Sequence, residues 1–329
     1  MSRMVFMRAL TVDLARAGSL SLTELPDPVP GPDELLVEGV AIGICGTDRE
    51  IVRGEFGVGR TLVIGHESLG RVVSGPGFAP GSLVAGVVRR PDPVPCAACA
   101  RGEFDMCLNG QYTERGITGL DGYGSTLWTV PAAYAVGVGS STGVLVEPAS
   151  VVVKAWEQLD RLARFPFESV LVTGAGPIGL LAALIGVQRG LDVHVFDLAA
   201  DGPKPALVES LGATYHRTLP DHRVVIEATG APSLVAQVLG RDLVCLTGVP
   251  STEVVPVDLG QVNRDLVLHN GIVFGTVNAN VRHYREASAV LDRADDAWLQ
   301  SMITRRVPLE SCAEAFESRP GDVKVVLEL

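Results

Sequence analysis

Between residues 5 and about 150 the apolar positions fall in short runs that Pro and Gly keep interrupting: ELPDPVPGPDELLVEGVAIG, LVIGHESLGRVVSG and GSLVAGVV. Runs punctuated in this way predict a coiled-up, partly barrel-like β region. From residue 169 the rhythm changes to strand, helix, strand, through SVLVTGAG, PIGLLAALIGVQRG, LDVHVFD, ALVESLGA, RVVIEATG, SLVAQVLG, DLVCLTG and GIVFGTVNA. Strands that alternate with helices predict a doubly wound parallel sheet, so the fold class is α/β. Between ATYH and RVVIEATG the connection is only RTLPDH, too short for a crossover helix, which predicts a trimmed sheet on that side. After 280, YREASAVLDRADDAWLQSMI reads as helical and VKVVLEL as a last strand. There are no repeats and no low-complexity tract.

A length of 329 residues exceeds what one core organises and favours two domains. With 47% hydrophobic and 5% aromatic residues the chain suits an Ala/Val/Leu/Gly-rich enzyme. A net charge of −11 with no basic patch argues against nucleic acid or an acidic membrane surface as partner. The opening MSRMVFMRALTVDLARAG does not read as a signal peptide, and no apolar run reaches spanning length. A cytoplasmic protein is expected, in which six cysteines serve as metal ligands, reactive thiols or core residues rather than disulfides.

Two constellations carry chemistry. In VLVTGAGPIGLL, Gly174, Gly176 and Gly179 form G-x-G-x-x-G after an apolar strand and at the start of a helix. That arrangement gives a tight turn, a close approach of backbone to a pyrophosphate and close packing of helix on strand. Asp197, at the end of the next strand, is placed to accept ribose hydroxyls and repel a 2′-phosphate, which favours NAD; Lys204 nearby leaves NADP open. The second constellation is Cys45 in GICGTDRE, His66 and Glu67 in GHESLG and Glu147 in LVEPAS, a mixed S/N/O set that suits Zn²⁺ with one position left for water or substrate. A further cluster, Cys96, Cys99 and Cys107, reads as a structural zinc lobe that lacks an obvious fourth ligand, Asp92 being the nearest. An emptied lobe is the alternative. Cys245 and Cys312 read as core.

With these residues assembled, the chain resembles the zinc-dependent medium-chain dehydrogenase/reductase superfamily over essentially its whole length, and within it the glucose 1-dehydrogenase branch. The likeness rests on GICGTDREIV, LVIGHESLGRVV, VVRRP, RGEFDMC, TERGITGLDGYG, LVEPAS, GAGPIGLL, IEATG and VLHNGIVFGTVNANVRHYREA. It implies a GroES-like catalytic domain over 1–152, a Rossmann cofactor domain over 153–282 and a return of 283–329 to the catalytic domain, with the active site in the cleft between them. It also implies that Cys45 is a zinc ligand, that Thr47 shuttles the alcohol proton and that Asp48 orients His66. Pro177, Ile178, Thr229, Gly248, Val249, Thr276 and Asn278 would join the glycines and Asp197 at the cofactor. Glu114, His269 and Asn278 would contact substrate hydroxyls.

Three departures qualify the likeness. Cys96, Cys99 and Cys107 match the last three positions of the family's C-x2-C-x2-C-x7-C lobe, but the first falls on Pro93. Related sugar dehydrogenases can carry an acidic residue four positions after the Glu147 equivalent, where this chain has Val151. The chain is also shorter than most relatives, chiefly in the cofactor domain. The resemblance implies a zinc- and NAD(P)-dependent sugar or polyol dehydrogenase acting on an aldose such as glucose, and a homodimer or homotetramer. Alternatives are a dehydrogenase or reductase of an aminocyclitol or other biosynthetic polyol, or a non-catalytic nucleotide-binding protein with a decayed metal site.

Overall fold

The computed structural model describes residues 6–56, 59–249 and 253–329. It divides into two units, residues 1–150 with 279–329, and residues 151–278. These boundaries lie a few residues before those expected at 152/153 and 282/283. The second shift has a local cause: Asn280 caps helix Val281–Asp292 and donates through its Nδ2 to Asp105 Oδ1 at 2.8 Å, which ties the start of that helix into the first unit.

The first unit is built on strand Glu34–Ile44, whose pattern of inward Leu35, Val37, Ala41, Ile42 and Ile44 makes it the spine of a seven-stranded sheet. It pairs antiparallel with Glu67–Ser74 on one side and with Lys324–Glu328 on the other. The expected final strand is therefore central. Two three-stranded sheets flank this one, and Leu10, Val37, Ile42, Leu62, Ile64, Tyr123, Trp128, Val325 and Leu327 close a common core. The helical stretch expected after 280 is two helices, Val281–Asp292 and Asp296–Met302, followed by a strand, Ile303–Pro308, that the apolar pattern does not predict.

The second unit is a six-stranded parallel sheet in the order Thr214–His216, Asp192–Phe196, Ser169–Thr173, Val224–Glu227, Leu243–Leu246, Ile272–Gly275. Numbered along the chain this is 3-2-1-4-5-6, the doubly wound order in which ligands settle at the carboxyl ends of the strands where the order reverses. No helix joins Thr214–His216 to Val224–Glu227, as the short RTLPDH connection requires. Helix Leu259–His269, by contrast, is not predicted by the pattern. Among the described residues no helix is long and apolar enough to cross a membrane.

Candidate active site

The register of the first unit's sheet brings the metal candidates together. Strand Glu34–Ile44 delivers Cys45 at its end, where the residue caps helix Gly46–Val52. Its neighbour strand begins at Glu67, opposite Gly43, so His66 and Glu67 arrive beside Cys45. Cys45 Sγ lies 3.1 Å from His66 Nε2, and the candidate ligand atoms of Cys45, His66 and Glu67 all fall within 4.8 Å of one another.

Asp48 is fully buried and uses both oxygens: Oδ2 accepts from the Cys45 backbone N–H at 2.9 Å and Oδ1 pairs with His66 Nδ1 at 3.1 Å. It fixes the ring so that Nε2 faces the sulfur, the orientation that ligand imidazoles receive from an outer carboxylate. Burial would push the His66 imidazole down, but the Asp48 carboxylate and then Cys45 outweigh it and hold it well above its usual value. The same partnership lowers Asp48 against its burial. Thr47 is half-buried in the first turn of the same helix.

Glu147 stands in the first turn of helix Val146–Leu162. Its surface is partly open, but its surroundings are dense enough that burial pushes the carboxyl up to about 7, with His66 and Lys324 pulling against Glu67. Glu67 forms a buried ion pair with Lys324, whose Nζ also donates to Ile44 O at 3.3 Å. Lys324 went unread in the sequence; its only signal is a single cation inside the apolar run VKVVLEL. A thiol, an imidazole oriented from behind and two carboxylates, one of them poised near neutrality, fit a zinc ion.

The three-cysteine lobe is compact. The Sγ atoms of Cys96, Cys99 and Cys107 lie within 4.8 Å of one another, and the backbone N–H groups of Cys99 and Leu108 point at Cys96 Sγ at 3.5 and 3.3 Å. Those two donors bring the Cys96 thiol down to about 6. Asp92, the nearest candidate for a fourth ligand, is committed elsewhere: Oδ1 accepts from Val94 N–H at 2.8 Å and Oδ2 from Asn109 Nδ2 at 2.7 Å. The described residues thus offer three thiols and no fourth side chain for a closed zinc site. Cys245 and Cys312 are buried in cores, and burial pushes the Cys245 thiol up to about 12. All six cysteines are unpaired.

Glu114 is buried and accepts from Arg89 Nε at 3.0 Å and Nη2 at 2.9 Å, with Arg89 stacked on the Tyr112 ring. Its carboxylate is held by that guanidinium. His269 ends helix Leu259–His269, half exposed, with its ring 3.7 Å from Asp242, the residue before strand Leu243–Leu246. It therefore sits at the amino ends of the second unit's strands and does not join the residues gathered at their carboxyl ends. That is a correction to its expected place beside substrate.

At those carboxyl ends the glycine turn is built as its spacing requires. Gly174 has φ +94°, and a Cβ on Gly179 would come within 1.7 Å of Gly174 O, so helix Pro177–Gln188 packs directly on its strand. A Cβ on Gly176 would meet nothing within 4 Å: the space over that peptide is open. Pro177 and Ile178 begin the helix whose first N–H groups face this space. Asp197 turns back toward it, accepting from Ala175 N–H at 2.8 Å and Ala199 N–H at 2.9 Å and pairing with Lys204 Nζ at 3.0 Å. Burial opposes ionisation there, but these two N–H donors and then Lys204 win and lower its pKa.

Thr229 and Gly248 close the neighbouring strand ends; Gly248 is packed so tightly on Gly230 that a Cβ would lie 2.1 Å from its nitrogen. Val249 is exposed, Asn278 has φ 63°, and Thr276 carries a buried hydroxyl oxygen with no hydrogen-bond partner. An open peptide, a free helix start and an orphaned hydroxyl fit a bound dinucleotide. Sequence reasoning missed Glu227, a fully buried carboxylate that accepts from Thr229 N–H at 2.8 Å and Gly230 N–H at 3.0 Å and so fixes this loop. Its signal was an acid closing the apolar strand RVVIE.

Comparison with known proteins agrees with this geometry. The family described as Glucose dehydrogenase C-terminus matches residues 140–329, and the Alcohol dehydrogenase GroES-like domain matches residues 31–140. The chain is similar to Glucose 1-dehydrogenase of Thermoproteus tenax, with 39% identity across 98% of this chain and 99% of that protein, and to Glucose 1-dehydrogenase of Methanocella arvoryzae, with 36% identity across the same shares. Among solved structures it is similar to Haloferax mediterranei glucose dehydrogenase in complex with NADP, Zn and gluconolactone, with a TM-score of 0.88, 31% identity, and 98% of this chain and 99% of that chain covered. Matched in this way along nearly its full length, the chain belongs to the zinc-dependent medium-chain dehydrogenase/reductase superfamily, in its glucose 1-dehydrogenase branch.

Proposed function

We propose that this chain oxidises an aldose of the glucose type at its anomeric carbon, passing the hydride to NAD⁺ or NADP⁺ and the hydroxyl proton to solvent, and so forming a lactone. The observation that carries the reading is the Cys45, His66 and Asp48 arrangement with Glu67 and Glu147 beside it. Cys45, His66 and Glu147 would hold the zinc, with Glu67 as the exchanging carboxylate. When bound there, zinc supplies the positive charge that acidifies a hydroxyl and steadies the developing alkoxide.

The chain's own groups do the rest. Asp48 keeps His66 in one tautomer, and Lys324 holds the Glu67 carboxylate ready without letting it go uncompensated. Thr47 takes the substrate proton and hands it on. The open peptide at Gly176 and the helix start at Pro177 and Ile178 receive the pyrophosphate, with Gly174, Gly179, Thr229, Gly248, Val249, Thr276 and Asn278 shaping the rest of the cofactor seat. Asp197 takes the adenosine ribose, and Lys204 offsets its charge so that a 2′-phosphate is tolerated. Glu114 and Asn278 remain the proposed hydroxyl contacts, Glu114 acting as part of its pair with Arg89. The three-cysteine lobe is proposed as a structural element that holds its shape with three thiols. Unpaired cysteines fit a cytoplasmic enzyme, and assembly as a homodimer or homotetramer is part of the same reading.

The test is turnover of zinc-loaded protein on a panel of aldoses, simple alcohols and cyclitols with each nicotinamide. Aldoses should be oxidised with both cofactors and simple alcohols left at least 100-fold behind, because a site built to bind several hydroxyls is left with unpaired polar groups by an alcohol lacking them. Activity confined to cyclitols would overturn the aldose reading while leaving the chemistry intact.

A further inference from the structure

Three of the chain's six histidines meet on one face of the second unit's sheet, at the strand whose His216 O accepts from the Asp197 N–H at 3.1 Å. His194 projects from strand Asp192–Phe196 and His216 from the adjoining edge strand Thr214–His216, on the same face, and their Nδ1 and Nε2 atoms are 2.8 Å apart. His194 Nε2 is 3.1 Å from Asp192 Oδ2. His222 lies against the His194 ring with centroids 4.2 Å apart, anchored through its Nδ1 to Ser169 Oγ at 3.1 Å. The location follows from the topology. Residues 217–223 replace the crossover helix, and of that connection Leu219 packs on the apolar part of this face, where Leu171 and Phe196 lie. Beyond that cover the face carries imidazoles.

The hydrogen bonds fix the tautomers. A carboxylate only accepts, so His194 carries its hydrogen on Nε2, toward Asp192. In the neutral ring Nδ1 is then a bare lone pair, to which His216 donates Nε2–H. A metal-ligating histidine has this same environment: one nitrogen pinned by a carboxylate, the other presented as a lone pair. Imidazole nitrogens suit Cu²⁺ and Ni²⁺, which bind such donors more tightly than the earlier divalent ions do.

We propose that His194 Nδ1 and His216 Nε2 form a second metal site, taking a divalent ion of tetragonal preference, Cu²⁺ or Ni²⁺, with water completing its shell. On binding, the His216 proton moves from Nε2 to Nδ1, so no proton is lost and the ion replaces the hydrogen now shared by the two rings. The bound ion staples the three-residue edge strand Thr214–His216 to its neighbour on the side where no crossover helix follows it. The site uses none of the side chains assigned to the zinc, the cofactor or the substrate.

The test uses untagged, zinc-loaded protein titrated with Ni²⁺ and with Cu²⁺. One equivalent beyond the zinc should bind, Tm should rise, and the Cu²⁺ paramagnetic spectrum should show two coupled nitrogens. In the ¹⁵N spectrum of histidine side chains, His194 and His216 should broaden before the other four. His194→Gln and His216→Gln should each weaken binding at least tenfold while zinc content and sugar turnover stay at the parent level. If the variants bind as the parent does, or if other histidines broaden first, the proposal is overturned; the spectra of the unaltered protein decide it even if the variants fold poorly.

Discussion

At the scale of single residues, Asp197 shows what a motif position does and does not convey. Its place after the second strand marks it as a ribose acceptor, but the structure adds Lys204 3.0 Å away on the same oxygen that Ala175 N–H engages. A lone carboxylate would repel a 2′-phosphate; a carboxylate paired with an ammonium does not, because the cation can turn to the phosphate as a charge-assisted donor. Lys204→Ala should therefore weaken NADP⁺ about tenfold, roughly 1.4 kcal/mol, while leaving NAD⁺ nearly untouched, and Asp197→Ala should erode the NAD⁺ side of the balance. Fluorescence titration with each nucleotide reads this without turnover, and equal losses of both nucleotides in Lys204→Ala would refute it. The residues that could be read from sequence, Cys45, His66, Asp48 and the three glycines, share short local motifs. Lys324 and Glu227 could not be read, because each acts on a partner that only the sheet register or a turned loop brings near, and each looks from sequence like a charge in an apolar strand.

At the scale of elements, the sequence pattern worked where apolar residues face a core and failed where they do not. Five of the second unit's strands and the short connection after ATYH follow directly from the alternation of apolar runs with turn residues. Helix Leu259–His269 escaped because none of its residues is buried: Leu259, Val267 and Leu268 are exposed, so its apolar positions mark no inward face. His269 was misplaced for the same reason. The first unit's sheet makes the opposite point, since its register, invisible in the sequence, determines the site. Gly43 lies opposite Glu67, and a Cβ there would fall 1.9 Å from Glu67 Oε2 and 2.8 Å from Lys324 Cε. Gly43→Ala should displace Glu67, break its pair with Lys324 and cost about 1–3 kcal/mol as an overpacked buried site does. Gly46→Ala is the control: a Cβ there meets nothing within 4 Å, and its effect should stay within about 0.5 kcal/mol. Urea unfolding of the two variants measures the difference, and equal stabilities would show that the strand shifts to make room.

At the scale of the whole molecule, the proposed zinc site would link stability to metal loading through the protons of His66 and Glu147. In the metal-free protein His66 is held well above its usual value and Glu147 is raised to about 7. Both are raised relative to the unfolded chain. Their contributions to stability are therefore fully present below the unfolded values, near 6.5 for an imidazole and 4.3 for a glutamate, and are lost as pH climbs through the folded ones. For Glu147 that loss runs from about pH 4.3 up to about 7; for His66 it begins near pH 6.5 and continues upward. The metal-free protein should thus become less stable between pH 6 and pH 8. Zinc reverses the sign. To ligate, both groups must give up the protons that the empty site favours, so zinc affinity rises with pH over the same interval, and ligand binding stabilises in proportion to RT ln(1 + [Zn]/Kd). The gap in Tm between zinc-loaded and chelator-treated protein should therefore widen steadily from pH 6 to pH 8 at fixed free zinc. A gap that stays constant across that range would mean that no proton competes with the metal, and that His66 and Glu147 are not its ligands.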